Sequence, residues 1–335
     1  MPAGAPGFTG IRYRVMPPCG KGLATSGGGM EGNRLMNPIE QLARRQLVVV
    51  TGKGGVGKTV VSATIGRALA AAGRRTLIVE VDPRENLHQM MGTPPSGGDI
   101  LEAEPRLWVQ NLKPRQVLDQ VVRDQLRLEL LARRVLDSLI YQQFATGAPG
   151  LKELAILGHA YRLLHGLGGP GAPEIQTVIL DAPATGHGVA LLSAPALVTD
   201  VITNGPFSRM AGDLATLIAD SERCGIVVVT QAEEMPVEEA LELRTALRDR
   251  VRREPELLVV NGLYPPAPPE PPPSTGAENE LVSLWRRRRK LNDRELARLK
   301  ESWTGPRIEL PQLPLDRGLP LLSTLGRCFA ESARR

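Results

Sequence analysis

The chain has 335 residues, of which 42% are hydrophobic and 23% charged, the proportions of a globular protein large enough to bury a substantial core. No apolar run approaches the ~20 residues of a membrane-spanning helix, and the opening residues lack the apolar centre of a secretory signal, so a cytoplasmic home is expected. Three cysteines, far apart and without a C-x-x-C pair, exclude a disulfide framework or zinc knuckle within one chain. A net charge of +5 with 3% aromatics gives no stacking platform for nucleic acid, which is not expected as a partner.

In chain order, residues 1–40 are rich in Gly, Pro and other small residues and are expected to form a disordered leader, followed by one ordered domain over 41–335. Leu47-Val48-Val49-Val50 is too short for a helix and rich in β-branched residues, and reads as a buried strand. Similar runs recur at Leu77–Val81, Val178–Leu180, Ile226–Val229 and Leu257–Val260, with helical patterns at Ser62–Ala72 and Val237–Val251 between some of them. Strands written as solid apolar runs are covered on both faces, which predicts an α/β fold: a mostly parallel central sheet flanked by helices.

Residues 87–170 read as a mainly helical insert in which only Leu107-Trp108-Val109 looks like a strand. From Val117 and Leu118 to Leu130, Leu131, Val135 and Leu139, apolar residues recur at three-to-four-residue spacing, a pattern that more often makes a core than a client surface. Residues 264–276 are a proline-rich loop, and the Arg286–Lys290 run after Trp285 reads as a solvated helix face, leaving any membrane contact peripheral.

The most informative segment is Thr51-Gly52-Lys53-Gly54-Gly55-Val56-Gly57-Lys58-Thr59, lying after a strand and before a helix, and fitting G-x-x-x-x-G-K-[ST]. Glycines let successive backbone N–H groups turn inward around phosphate oxygens, and the following helix adds the positive end of its dipole. ATP is the expected ligand, cradled by Gly52, Gly54, Gly55, Val56, Gly57, Lys58, Thr59 and Val60. Lys58 supplies charge between the β- and γ-phosphates, and Thr59 offers its hydroxyl to Mg²⁺.

With Lys53 included, the loop resembles the deviant phosphate loop K-G-G-x-G-K-[ST] of the ATPases that include ParA, MinD, nitrogenase iron protein and the ArsA and tail-anchored-protein-targeting group. The resemblance implies a P-loop fold with an inserted helical subdomain, and a dimer sandwiching two ATPs with Lys53 reaching the partner's nucleotide. Two later segments, Glu80-Val81-Asp82-Pro83-Arg84-Glu85-Asn86-Leu87 and Asp181-Ala182-Pro183-Ala184-Thr185-Gly186-His187-Gly188, are similar to the ArsA-type switches S-T-D-P-A-x-N-L and D-T-A-P-T-G-H-T. Carried over, Asp82 handles the attacking water, Asp181 holds Mg²⁺ through water, and Gly186 and His187 belong to a switch. Asn261 matches a position that reads adenine, although Asn-Gly is equally a turn signal, and Pro311-Gln312-Leu313-Pro314 resembles the base-side loop.

The resemblance covers about 46–322 and has departures. The zinc-holding C-x-x-C and the cysteine cluster for trivalent arsenic or antimony are missing, which removes the soft ligands such ions need. Arg84-Glu85 replaces small residues in the first switch, and one phosphate loop stands where ArsA has two, so the second half comes from another copy or a related chain. The expected role is Mg²⁺-dependent ATP hydrolysis driving a protein client or partner. The alternatives are a ParA/MinD-like positioning switch acting on membrane or DNA, and a regulatory nucleotide-binding subunit.

Overall fold

The computed structural model describes residues 38–332 apart from 82–84, 127, 140, 143–146, 148–149, 183–186, 202–203, 205 and 267–279. The expected leader therefore lies outside the described residues up to position 37, while its last residues enter α1 (Pro38–Ala43). Most of the expected proline loop is outside them too.

The five solid apolar runs form β1 (Leu47–Gly52), β2 (Thr76–Glu80), β5 (Thr177–Asp181), β6 (Cys224–Gln231) and β7 (Leu257–Leu263). β1, β2 and β5 are buried along their whole length, as strands covered on both faces must be. Side-chain alternation divides them between two layers. Leu47 and Val49 join Leu77, Val79, Leu180 and Val228 on one face; Val48 and Val50 join Ile78, Ile179, Val227 and Val229 on the other.

The sheet also contains β3 (Leu101–Glu104), β4 (Leu107–Asn111) and β8 (Arg307–Pro311), in the order β3-β4-β2-β5-β1-β6-β7-β8. Every described pairing is parallel except β3 with β4, a short hairpin at one edge. Two edge strands escape the sequence reading for different reasons. β3 is Leu-Glu-Ala-Glu with no buried residue, and β8 buries alternate residues rather than a continuous run.

α2 (Lys58–Ala71) and α11 (Leu319–Ser332) cover the layer that contains Val48; α6 (Leu151–Leu164), α7 (His187–Val201), α8 (Pro206–Ala219) and α9 (Glu234–Ala246) cover the other. α2 begins at Lys58, four residues before its apolar stripe suggests, because its first turn faces the phosphate loop. α9 runs into a π-helical turn at Leu247–Val251, within the stretch expected to be one helix. The chain leaves β1 for β2 on one side, whereas β5 leads to β6 on the other. The carboxyl ends of β1 and β5 therefore flank the crevice in which sheets of this kind bind ligands.

After β4 come α4 (Pro114–Leu126) and α5 (Glu129–Leu136), with α6 returning the chain to β5. Their apolar spacing predicts a core. Leu118 does pack on Leu151 and Ala155, but Leu130 and Leu139 are 83% and 69% exposed, and Leu131 and Val135 are exposed as well. α5 meets α4 but carries its outer leucines past the edge of that contact. Among the described residues no helix is long and apolar enough to cross a membrane.

α3 (Asn86–Met91) lies between β2 and β3, and α10 (Glu280–Ser302) carries the Arg286–Lys290 run. That run is not simply a solvated face. Trp285 Nε1 donates to Pro265 O at 2.9 Å, Arg289 donates to Tyr264 O at 2.6 Å, and Arg288 lies 3.5 Å from the Glu233 carboxylate, so the segment pins α10 to the end of β7 and the start of α9.

Candidate functional site

The loop between β1 and α2 is shaped by its glycines. Gly52 and Gly57 have φ of 148° and 91°, in the region open mainly to glycine. A Cβ on Gly52 would strike the Val229 carbonyl of the neighbouring strand, and one on Gly57 would strike the Asn261 side-chain amide. Gly57 precedes α2 without any side-chain cap, and the first turn of that helix holds no acidic residue. Its leading N–H groups and dipole are thus presented to an anion.

Lys58, only 9% exposed, donates from Nζ to Lys53 O at 2.9 Å and closes the loop on itself. Thr59 Oγ1 donates to Asp181 Oδ2 at 2.6 Å, and Ser62 Oγ donates to Oδ1 of the same carboxylate at 3.3 Å. Val50 and Asp181 are register partners on β1 and β5, which is what sets this carboxylate beside the loop. A hydroxyl next to one buried carboxylate is a hard oxygen pair that fits Mg²⁺, an ion that keeps most of its shell as water and phosphate oxygens. Among the described residues no group of three His, Cys, Asp or Glu could hold a metal ion by itself.

Asn261 stands at the end of β7 and donates from Nδ2 to Val56 O at 2.9 Å, so in this state it braces the phosphate loop. Lys53 is half-buried and its Nζ lies 2.7 Å from Glu239 Oε1 on α9. Gly54 and Gly55 form the exposed tip, Val56 tucks into the core, and Val60 follows in the first turn of α2. Asp82 and Gly186 lie outside the described residues, as does the side chain of His187.

Three participants were not anticipated. Ser62 reaches Asp181 and Glu239 reaches Lys53 from helix positions that no motif marks. Glu80, at the end of β2 and 1% exposed, accepts the Leu87 N–H on both carboxylate oxygens at 3.2 Å, and Asn111 Nδ2 donates to it at 3.4 Å. It ties the strand end to the first turn of α3, across the segment that carries Asp82. Its sequence signal was a carboxylate closing an apolar strand where the similar switch has serine.

The model of the anion-transporting ATPase family matches residues 45–215, from the first strand through the phosphate loop to α8. ATPase BagA of Mycobacterium tuberculosis is 28% identical over 215 residues, covering 60% of this chain and 61% of that protein. ATPase GET3C of Arabidopsis thaliana is 27% identical over 203 residues, 56% of this chain and 49% of its own. The arsenical pump-driving ATPase of Escherichia coli is 27% identical over 239 residues, 64% of this chain and 39% of its own. The chain thus spans less than two thirds of the length of these relatives. With the matched segment holding the whole β1-loop-α2 unit and Asp181, the chain belongs to the ArsA family of anion-transporting ATPases.

Proposed function

We propose that this chain binds and hydrolyses ATP with Mg²⁺ as a nucleotide-sandwich dimer, and that the cycle changes how it holds a protein client or partner. The observation that carries this reading is the Thr59–Asp181 contact beside a glycine loop closed by Lys58. In the proposed mechanism the uncapped start of α2 and Lys58 hold the phosphates, while Thr59 and Asp181 orient the metal's shell. Bound Mg²⁺ would neutralise charge on the β- and γ-phosphate oxygens. Asp82 aligns water, and Asn261, released from Val56 O, reads the base.

Lys53 supplies a cation to the partner's nucleotide. Within one chain it is paired with Glu239, so entering the dimer means exchanging that carboxylate for a phosphate. The partner is a second copy or a related chain. The exposed leucines on and around α5 support handling of an apolar protein segment rather than a metalloid. Cys224 is fully buried in β6, and burial pushes its thiol up to about 12, far from a thiolate ready for a soft ion.

The test separates the two lysines. Lys58→Ala is expected to abolish binding of a fluorescent ATP analogue, whereas Lys53→Ala keeps that binding and loses phosphate release by at least ~10³-fold, the scale of a cation supplied in trans. Equal loss of affinity in both variants would refute the trans role of Lys53.

A further inference from the structure

Most of α2 is what its place against the sheet asks for: Val61, Ala63, Ile65 and Leu69 are buried apolar residues in the layer that contains Val48. Ser62 lies among them with no exposed surface. Alanine, which the same helix uses at Ala63, Ala68, Ala70 and Ala71, is the better helix former and leaves no hydroxyl to satisfy. Packing alone does not account for a serine here.

A hydroxyl inside a helix ordinarily turns back to a carbonyl one turn earlier. Thr64 does so, donating to Val60 O at 2.8 Å. Ser62 instead reaches across to β5 and donates to Asp181 Oδ1 at 3.3 Å. Two periodicities bring them together. Asp181 is two residues beyond Ile179 and shares its face of the sheet, the one that α2 covers. Ser62 is three residues beyond Thr59 on one side of the helix, so two hydroxyls stand a turn apart opposite the two oxygens of a single carboxylate.

The two bonds do different things. A carboxylate turns easily about its last side-chain bond, and one hydrogen bond to one oxygen leaves that rotation open. With Thr59 on Oδ2 and Ser62 on Oδ1, both oxygens are held and the plane of the group is set. Thr59 is the hydroxyl that the proposed mechanism also gives to the cation. Ser62, a turn further along α2 and out of contact with solvent, serves the carboxylate.

We infer that Ser62 is a positioning residue for the Mg²⁺-dependent reaction: it fixes the Asp181 carboxylate in the rotation that keeps Oδ2 toward Thr59, and thereby sets how strongly the nucleotide site takes a divalent cation. This role rests on the placement of the cation at Thr59 and Asp181 proposed above, and adds to it a residue that acts only through the carboxylate. Groups that orient a metal's ligands from behind are worth about 10- to 100-fold in metal affinity. One buried hydroxyl belongs at the lower end of that range.

The test titrates Mg²⁺ into the full chain with a fluorescent ATP analogue, starting from EDTA, and reads the midpoint at which the cation tightens analogue binding. Ser62→Ala is expected to bind the analogue in EDTA as the parent does and to raise the Mg²⁺ midpoint about tenfold. Its far-UV circular dichroism is unchanged, because alanine suits the helix. Ser62→Thr retains the hydroxyl and is expected to keep the parent's midpoint. An unchanged midpoint in Ser62→Ala overturns the inference. So does an affinity lowered equally with and without Mg²⁺, which is what a serine with only a structural role produces. A Ser62→Thr chain with native circular dichroism whose midpoint follows Ser62→Ala overturns it too. The underlying placement fails in a different way: a parent chain whose analogue binding gains nothing from Mg²⁺ refutes the cation at Thr59 and Asp181, and the role of Ser62 with it.

Discussion

Gly57 meets two demands at once: a left-handed backbone and a close approach by the Asn261 amide. Placing a side chain in the left-handed region costs ~1–2 kcal/mol before any clash, and here the obstacle is a group that braces the loop from β7. Gly57→Ala is expected to lose ATP-analogue binding by at least ~10-fold, with far-UV circular dichroism unchanged because the strand and helix on either side keep their cores. The loop was legible from its residues alone, since each glycine, Lys58 and Thr59 stands at a set spacing between a strand and a helix. The Asn261 contact was not, because nothing near position 261 points to Val56.

At the level of elements, α9 brings Glu239 to Lys53. Both side chains are about a third exposed, and such pairs are worth ~0–1 kcal/mol. Glu239→Gln is therefore expected to raise ATP turnover at low protein concentration by no more than about fivefold, with nucleotide affinity unchanged; a fall in turnover would show that the glutamate assists Lys53 rather than retaining it. The opposite edge of the sheet is built differently. There Arg45, between α1 and β1, lies 2.7 Å from Glu256, with side chains only 9% and 15% exposed, and Arg253 donates to the carbonyls of Ile218 and Cys224. Burial pushes Glu256 up even with the guanidinium beside it. Removing one member of such a pair strands the other, so Arg45→Ala is expected to lower stability by about 3 kcal/mol in urea unfolding without touching the phosphate loop.

Strand positions show what kind of element a sequence reveals. The interior strands were visible as runs such as Leu47–Val50 because two covered faces demand apolar residues throughout. β3 and β8 were not, because an edge strand tolerates Glu and Arg on its open side. The stripe from Leu130 to Leu139 misled for a related reason: helical spacing records an apolar face without recording whether anything covers it.

For the whole molecule, the proposed dimer makes a prediction that no single chain can satisfy. Lys53→Ala chains hold nucleotide but lack the donated cation; Lys58→Ala chains lack the nucleotide but keep Lys53. Mixing the two inactive proteins is expected to restore phosphate release at the Lys53→Ala sites, in proportion to mixed dimers, and a mixture as inactive as its components would exclude donation between chains. Within one chain, β1 lies inside the sheet with the loop at its carboxyl end, beside the Thr59–Asp181 contact.

The amino-acid order by itself marked the interior strands and the glycine loop set between a strand and a helix, because each shows in residues within a few positions of one another; which strands pair is long-range. Tertiary structure decided that Glu239 faces Lys53, that Asn261 braces Val56 and that Glu80 clasps α3. Those pairings join residues from separate elements, and only the crossing of strands and the packing of helices over the sheet brings such side chains within hydrogen-bonding reach.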